Sequence, residues 1–161
     1  MLIGVMSDTH DNLTNTRLAV AVFNYYKVPR VLHAGDFTSC FMFNVLKGLK
    51  AEFCGVFGNN DSELSFLKKE DKEKLHRQPY EFVIEQKRFV MIHEQFSIKE
   101  LTQSDSYDFL IYGHTHKPNV EKIGQTIILN PGETCGIKHD KPTVALLDTT
   151  TAEAHFINLS T

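Results

Sequence analysis

Five short apolar segments of this 161-residue chain each lead into a cluster of Asp, Asn or His residues. The segments have the length and composition of buried β-strands, and they cover residues 2–6, 31–33, 53–57, 89–92 and 109–112. The polar side chains beyond them are Asp8, His10, Asp36, Asn59, Asn60, Asp61, His93, His114 and His116. Because carboxylates, amides and imidazoles bind divalent metal ions, strands that end at one place would assemble a metal site there.

The spacing within two clusters is also informative. Asp8 and His10 are separated by one residue, and so are His114 and His116. Side chains at positions i and i+2 of an extended strand face the same side, so each pair is expected to bind one centre. Glycines stand at positions 35, 58 and 113, just before candidate ligands. A glycine there permits a sharp turn and a close backbone approach to a bound group.

The order of these motifs resembles the calcineurin-like metallophosphoesterase superfamily, and the short chain looks like its small single-domain phosphodiesterase branch of bacteria and archaea. The family pattern is D-x-H, GD, GN-H-D/E, a lone His and GH-x-H. In this chain the motifs read Asp8-Thr9-His10, Gly35-Asp36, Gly58-Asn59-Asn60-Asp61, His93 and Gly113-His114-Thr115-His116. They extend from near residue 1 to about residue 132, and five motifs in the family's order are far more specific than one.

The resemblance implies two metal ions and assigns their ligands. One ion would be held by Asp8, His10, Asp36 and His116. The other would be held by Asp36, Asn59, His93 and His114, so that the Asp36 carboxylate bridges the pair. Mn²⁺ is the first choice for this mixed nitrogen and oxygen set, with Ni²⁺, Fe²⁺, Co²⁺ and Zn²⁺ as alternatives.

The implied activity is hydrolysis of small phosphate diesters by a hydroxide that bridges the two metal ions. Asp61 would orient neighbouring groups without binding metal. Two alternatives stay open at this stage. One is a phosphomonoesterase of the same fold, and the other is a metal-binding scaffold for protein assembly, the use that the retromer subunit makes of this fold.

Three positions depart from the family pattern. Asn60 replaces a His that often assists the leaving group, and an amide cannot transfer a proton at neutral pH. Glu94 stands where Gly is commoner. Glu133 follows an N-P-G segment at residues 130–132, in the place of a usual Ser. A carboxylate near the phosphate would repel substrate unless it binds metal, pairs with Lys138 or points away.

Several motif residues also have an ordinary structural explanation when taken singly. Asp8 and Asp36 are suited to cap helices, and Asn59 and Asn60 are suited to turns. A lone histidine such as His93 is more often structural than a ligand. The histidines outside the motifs are interpreted as structural or solvated, and they are His33, His76, His139 and His155. Among them His139 is the open case, because it follows the loop at 132–136 on the expected substrate side.

Composition limits the remaining possibilities. A length of 161 residues predicts a single domain over residues 1–161, and a hydrophobic content of 42% predicts that it is globular. A net charge of −3 does not favour a nucleic-acid partner. No segment has the length of a membrane span, and a secretion signal is not expected. The three cysteines lack CxxC spacing, which predicts reduced thiols in the cytoplasm. The phenylalanine-rich faces and the relatives suggest self-association as a homo-oligomer, but the sequence does not fix the oligomeric state.

The distribution of elements predicts an α/β fold. Helices are expected at 12–26, 38–49 and 62–76, alternating with strands, which favours a sheet with parallel parts. Three hairpins are expected in the second half, at 80–85 with 88–92, 120–123 with 126–129, and 142–147 with 153–157. The family resemblance implies a four-layer α/β/β/α sandwich, with two mixed β-sheets flanked by helices.

Overall fold

The strands and helices below come from a computed structural model that describes residues 1–62, 64, 67–103 and 106–160. The strands are β1 (Leu2–Met6), β2 (Arg30–His33), β3 (Glu52–Val56), β4 (Leu75–His76), β5 (Tyr80–Ile84), β6 (Lys87–Met91), β7 (Phe109–Ile111), β8 (Pro118–Ile123), β9 (Thr126–Pro131), β10 (Thr143–Asp148) and β11 (Glu153–Asn158). The α-helices are α1 (Leu13–Tyr25), α2 (Met42–Leu46), α3 (Lys69–Lys72) and α4 (Ile98–Thr102). A turn of 3₁₀-helix at Gln95–Ser97 precedes α4.

The strands form two mixed sheets. The first has the order β11-β10-β1-β2-β3-β4, in which β1 to β4 are parallel, β10 is antiparallel to β1, and β11 is antiparallel to β10. The second has the order β5-β6-β7-β9-β8, in which β6, β7 and β9 are parallel and the two outer strands run antiparallel. The three predicted hairpins are confirmed, as β5-β6, β8-β9 and β10-β11.

The helices and the two sheets form four layers, and buried apolar side chains fill the spaces between them. Helices α1 and α2 pack on one face of the first sheet through a core that includes Phe23, Met42 and Leu46. The other face packs on the second sheet through residues such as Val5 and Met91. The far face of the second sheet packs against α4. This arrangement confirms the predicted α/β/β/α fold.

Helix α1 follows directly from its sequence. The Asn12 side chain caps it by accepting the backbone N–H of Asn15 at 3.0 Å. Ala19, Val20 and Phe23 recur at helical spacing and are buried. Gly4 of β1 makes room for this face, because a Cβ there would lie 2.6 Å from the Phe23 ring. Within the described residues, no helix has both the length and the apolarity that crossing a membrane requires.

Two predicted helices are corrected. The helix expected at 38–49 is reduced to α2, because Thr38 has a positive φ of 81° and its loop is bonded to neighbouring segments. Of the helix expected at 62–76, the described residues form an α-helix only at α3. Residues 63, 65 and 66 lie outside the described part. Lys68 is extended, and Leu75–His76 pairs with β3 as a strand. The charged run at 68–74 favours a helix locally, but burial of Leu75 and its pairing with β3 prevail.

Candidate metal centre

The five polar clusters lie beyond the carboxyl ends of β1, β2, β3, β6 and β7. Because these strands run parallel within each sheet, their carboxyl ends reach the same edge. The loops are then tied together by backbone hydrogen bonds. The N–H of Asp8 donates to Gly35 O at 3.0 Å, and that of Gly113 donates to His93 O at 3.1 Å. The two sheets meet here, since the N–H of His114 donates to Asp8 Oδ2 at 3.2 Å.

One group of side chains surrounds Asp8. His116 Nε2 lies 3.4 Å from Asp8 Oδ1, and His10 Nε2 lies 3.8 Å from the same oxygen. The two imidazole rings are stacked with centroids 5.1 Å apart. His10 Nε2 also lies 3.5 Å from Asp36 Oδ2, which joins this group to the next.

A second group surrounds Asn59. Its Oδ1 lies 3.0 Å from His93 Nε2 and 3.0 Å from His114 Nδ1. His93 Nε2 lies 3.3 Å from Asp36 Oδ2. The structure therefore brings all seven predicted ligands into two groups that share the buried Asp36 carboxylate.

The expectation that an extended strand places the two members of each pair on one side is wrong. Asp8 and His10, like His114 and His116, do not continue their strands, and each has a positive φ. The angles are 52° at Asp8, 39° at His10, 64° at His114 and 63° at His116. Left-handed backbone costs a residue with a Cβ about 1–2 kcal/mol, so the surrounding hydrogen bonds must hold these loops in place. The side chains meet because the loops turn, and not because strand residues alternate.

Asp36 is held by Asn60. The Asn60 backbone N–H donates to Asp36 Oδ1 at 2.9 Å, and its side-chain amide donates to Oδ2 at 2.7 Å. Burial raises the pKa of Asp36, but His93 and Asn60 outweigh burial and hold that pKa far below its ordinary value. Gly58 allows this approach, because a Cβ there would overlap Asp36 Oδ1. The Asn60 side chain is thus bonded to a predicted ligand.

Asp61 joins two of the loops. Its Oδ2 accepts the backbone N–H groups of Asp36 at 2.9 Å and Gly58 at 2.7 Å. Its Oδ1 accepts those of Phe37 at 2.7 Å and Thr38 at 2.8 Å. Burial raises the pKa of Asp61, and these amides oppose that rise.

Two histidines have partners that select a tautomer. His93 Nδ1 lies 2.7 Å from the carbonyl oxygen of Ala34, so a proton on Nδ1 donates to that oxygen and Nε2 is left as an acceptor. His116 Nδ1 lies 2.8 Å from Glu133 Oε2 and is held in the same way. Metal-ligating histidines commonly have such partners.

Glu133 points away from the open side of the site, which was one of the three possibilities stated for it. The residue is fully buried. It accepts the backbone N–H of Lys138 at 2.9 Å, and not the ammonium group. Burial raises the pKa of Glu133, but the hydrogen bonds from His116, Lys138 and His139 outweigh burial and hold that pKa below its ordinary value.

The donors fit divalent metal ions. Among the described residues, Asp8 Oδ1 and His10 Nε2 are buried and have no hydrogen-bond partner. Buried polar atoms without partners are costly, and a shared cation would satisfy both. Asp8, His10 and His116 place ligand atoms within 4.8 Å of one another, and so do Asp8, Asp36 and His93. The mixed carboxylate, amide and imidazole set suits first-row divalent ions.

Sequence reasoning missed residues that support the site. Asn130 Nδ2 donates to Gly113 O at 2.8 Å and to Thr115 Oγ1 at 3.0 Å, which fixes the loop of His114 and His116. His33 Nε2 lies 3.2 Å from Thr9 Oγ1, and that hydroxyl donates to Asp36 O at 3.3 Å. The N-P-G segment contained a signal for Asn130, but no spacing rule indicates the role of His33.

Comparisons with known proteins agree with the geometry. The profile of the calcineurin-like phosphoesterase superfamily domain matches residues 1–152. Phosphodiesterase MJ0936 of Methanocaldococcus jannaschii is 37% identical over an alignment of 155 residues, and the alignment covers 92% of this chain and 93% of that protein. The solved structure of a novel archaeal phosphodiesterase is 37% identical to this chain and superposes with a TM-score of 0.89. The superposition covers 98% of this chain and 99% of that one.

A more distant solved structure shows a likeness of fold. Zinc-bound Vps29 of Entamoeba histolytica is 18% identical, with a TM-score of 0.74 over 99% of this chain and 100% of that one. The assignment to a family rests on the match over residues 1–152 and on the 37% identity to MJ0936. The chain therefore belongs to the calcineurin-like phosphoesterase superfamily, a family of hydrolases that act on phosphate esters.

Proposed function

We propose that this protein is a dimetal phosphodiesterase that hydrolyses small phosphate diesters. The observation that supports this most is the pair of ligand groups that share the buried Asp36 carboxylate. The 37% identity to an archaeal phosphodiesterase supports the diester preference.

Two sets of side chains would hold the metal ions. Asp8, His10, Asp36 and His116 form the first set, and Asp36, Asn59, His93 and His114 form the second. Bound divalent ions would supply an activated water and stabilise the negative charge that develops on the phosphate oxygens. The nitrogen and oxygen donors favour Mn²⁺ as the first ion to test.

The chain's own residues prepare these donors. Asn60 aligns the Asp36 carboxylate through both of its oxygens, and Asp61 holds the backbone of Asp36. His93 is aligned through Ala34 O. Asn60 has no proton to transfer, so it acts in this proposal by positioning Asp36 and not as an acid.

The surroundings suit an anionic substrate. A cleft of about 510 Å³ adjoins Gly58 and Asp61, and the cationic side chains of Lys72 and Arg77 also line it. Cationic groups along a cleft attract anions and raise their local concentration. In the described part of the chain, the residues that line this cleft include Gly58 and Asp61 but none of the seven predicted ligands.

The cytoplasm is the proposed setting. Cys40, Cys54 and Cys135 are free thiols, and burial raises the pKa of Cys54 to about 11 and that of Cys135 to about 12. The Cys54 and Cys135 thiols therefore stay protonated at neutral pH. Free cysteines are typical of a reducing compartment.

The test uses matched esters and metal-free protein. The protein is stripped with a chelator, the chelator is removed, and Mn²⁺ is titrated back while bis(p-nitrophenyl) phosphate and p-nitrophenyl phosphate are assayed in parallel. We expect two ions per chain, no hydrolysis without metal, and faster turnover of the diester. His155→Ala serves as the control, because His155 is exposed on β11 and outside every motif.

Each other result contradicts a definite part of the proposal. Full activity without metal excludes the metal-dependent mechanism. Faster turnover of the monoester indicates a phosphomonoesterase. A protein that binds metal but hydrolyses neither ester is better described as a scaffold.

A further inference from the structure

Glu133 forms a buried pair with a predicted metal ligand. Its Oε2 lies 2.8 Å from His116 Nδ1, and the Glu133 residue has 0% exposure. His116 Nε2, on the opposite side of the ring, lies 3.4 Å from Asp8 Oδ1. One imidazole therefore connects a buried carboxylate to the site.

The surrounding loop is arranged to receive this carboxylate. Oε1 accepts the backbone N–H of His139 at 2.6 Å, and Oε2 accepts that of Lys138 at 2.9 Å. Gly136, with a φ of 68°, packs against Pro142 so closely that a Cβ would lie 2.9 Å from the proline ring. The loop turns there and brings both amides back over Glu133. A side chain without two acceptor oxygens would leave one of these backbone donors unpaired.

We infer that Glu133 is a positioning residue that keeps the proton of His116 on Nδ1 and directs the Nε2 lone pair toward the first metal site. This inference rests on the metal centre proposed above. A carboxylate behind a ligating histidine fixes the ring's tautomer and orientation and raises its basicity as a ligand. Glu133 is the residue that would do so for His116.

A third metal site is the competing explanation for this cluster. His116, Glu133 and Cys135 place ligand atoms within 4.8 Å of one another. The donors that face Glu133 are backbone amides and an imidazole N–H, however, which already satisfy its oxygens. The Cys135 thiol also donates a hydrogen bond to Glu133 Oε2, with 3.4 Å between sulfur and oxygen. Among the described residues, the partners of the Glu133 carboxylate are hydrogen-bond donors, which satisfy its oxygens without a cation.

The nearest control is Thr134, the next residue of the same loop. Its backbone N–H donates to Ser7 O at 2.9 Å. Among the described residues its buried Oγ1 has no hydrogen-bond partner. Thr134→Val keeps the shape and leaves Glu133 in place. Glu133→Gln keeps the size, but it removes the charge and turns an NH₂ group toward backbone donors.

The first measurement uses the metal-free wild-type protein and needs no variant to fold. Nitrogen-15 NMR of the His116 ring at pH 8 should find Nδ1 protonated and Nε2 bare. The same tautomer is expected in Thr134→Val. Protonation of Nε2 in the wild type would overturn the inference outright.

The second measurement is a calorimetric titration of each protein with Mn²⁺. In Glu133→Gln we expect one equivalent to bind about 10- to 100-fold more weakly and the other to bind as in the wild type. Thr134→Val should match the wild type at both sites. Equal weakening of both sites, or of neither, in Glu133→Gln would indicate a purely structural residue and overturn the inference.

The two proposals fail in different ways. If the wild type binds no metal, the metal centre of the proposed function is wrong, and the role of Glu133 is wrong with it. If the wild type binds two ions and Glu133→Gln binds both with wild-type affinity, only the role of Glu133 is wrong.

Discussion

The carboxylate of Asp61 accepts a hydrogen bond of 2.9 Å from the backbone N–H of Asp36. The same oxygen accepts the N–H of Gly58 at 2.7 Å, so one side chain ties the loop after β2 to the loop after β3. Asp36 and Asn59 stand on these two loops. The separation of two predicted ligands is therefore set by a residue that need not touch a metal ion.

Asp61→Asn tests this relationship. Each Asp61 oxygen accepts two backbone N–H groups, and an asparagine offers only one acceptor oxygen. The buried donors left unpaired should lower the free energy of unfolding by about 1–3 kcal/mol. Diester turnover should fall by about 10- to 100-fold, because Asp36 loses its support. Urea unfolding and initial rates with Mn²⁺ measure the two effects.

Asp71→Asn is the matched control for that variant. Asp71 is buried, and its carboxylate lies 3.0 Å from Lys47 Nζ and 3.6 Å from Lys74 Nζ. Its loss should destabilise the fold and leave turnover near the wild-type value in the folded protein. If Asp61→Asn also kept wild-type turnover, Asp61 would stabilise the fold without positioning Asp36.

The sequence predicted which side chains meet at the site, but it did not predict the backbone conformation of the loops that bring them together. Polar residues beyond parallel strands must lie at one edge of a sheet, so the motif order alone brought Asp36 and Asn59 together. The positive φ of Asp8 and His114 was not predictable, because non-glycine residues rarely adopt it. It depends on long-range bonds such as that from the N–H of His114 to Asp8 Oδ2.

In the second half of the chain, too, local patterns were predictable from the sequence and features held by contacts distant in the sequence were not. Hairpins were predictable because a short polar turn sets the register of the strands around it. The position of Glu133 was not, because the amides that hold it belong to Lys138 and His139 in a turn with no regular period. Likewise, β4 is a strand only because β3 lies beside it.

Asp36→Asn should cost more activity than Asn59→Ala. Asp36 Oδ2 lies near ligand nitrogens of both groups, 3.5 Å from His10 Nε2 and 3.3 Å from His93 Nε2, whereas the Asn59 side chain contacts only the second group in the described structure. Removing the charge of Asp36 should weaken both metal sites, and removing Asn59 should weaken one. Metal titration and turnover of both variants measure this. Near-normal turnover in Asp36→Asn would exclude a bridging role.

His33 should make stability depend on pH. It is buried against Phe37, with ring centroids 3.7 Å apart. Burial lowers the pKa of His33 well below its ordinary value, and His93 lowers it further. The unfolded chain therefore binds a proton below about pH 6.5 that the folded protein rejects. The stabilisation by neutral His33 is complete above that pH and is lost as pH falls toward the folded-state pKa.

His33→Gln isolates this effect. The difference in free energy of unfolding between the wild type and the variant, both metal-free, should be constant at pH 7.5 to 8.5 and should shrink as pH falls below 6.5. The slope can approach about 1.4 kcal/mol per pH unit. Lost contact with Phe37 adds only a constant offset. A difference that does not change with pH would show that His33 titrates alike in both states.

The last prediction concerns the leaving group. Asn60 donates its side-chain amide to Asp36 Oδ2 at 2.7 Å and cannot release a proton to a departing alkoxide. His139 is the other candidate acid, but its Nε2 is buried and has no partner among the described residues. The leaving group must then depart unaided or take its proton from water. Nitrophenyl diesters should react well, and alkyl esters should react poorly.

A series of diesters with graded leaving-group pKa values measures this on the wild type, Asn60→His and His139→Ala. The wild-type rate should fall steeply as leaving-group pKa rises, and His139→Ala should give the same slope. Asn60→His places an imidazole where an acid can act, so it should flatten the slope and help the poorest leaving groups most. A positioned acid contributes about 10²- to 10⁴-fold, which sets the upper limit of that gain. A shallow wild-type slope that steepens in His139→Ala would identify His139 as the acid and refute the prediction.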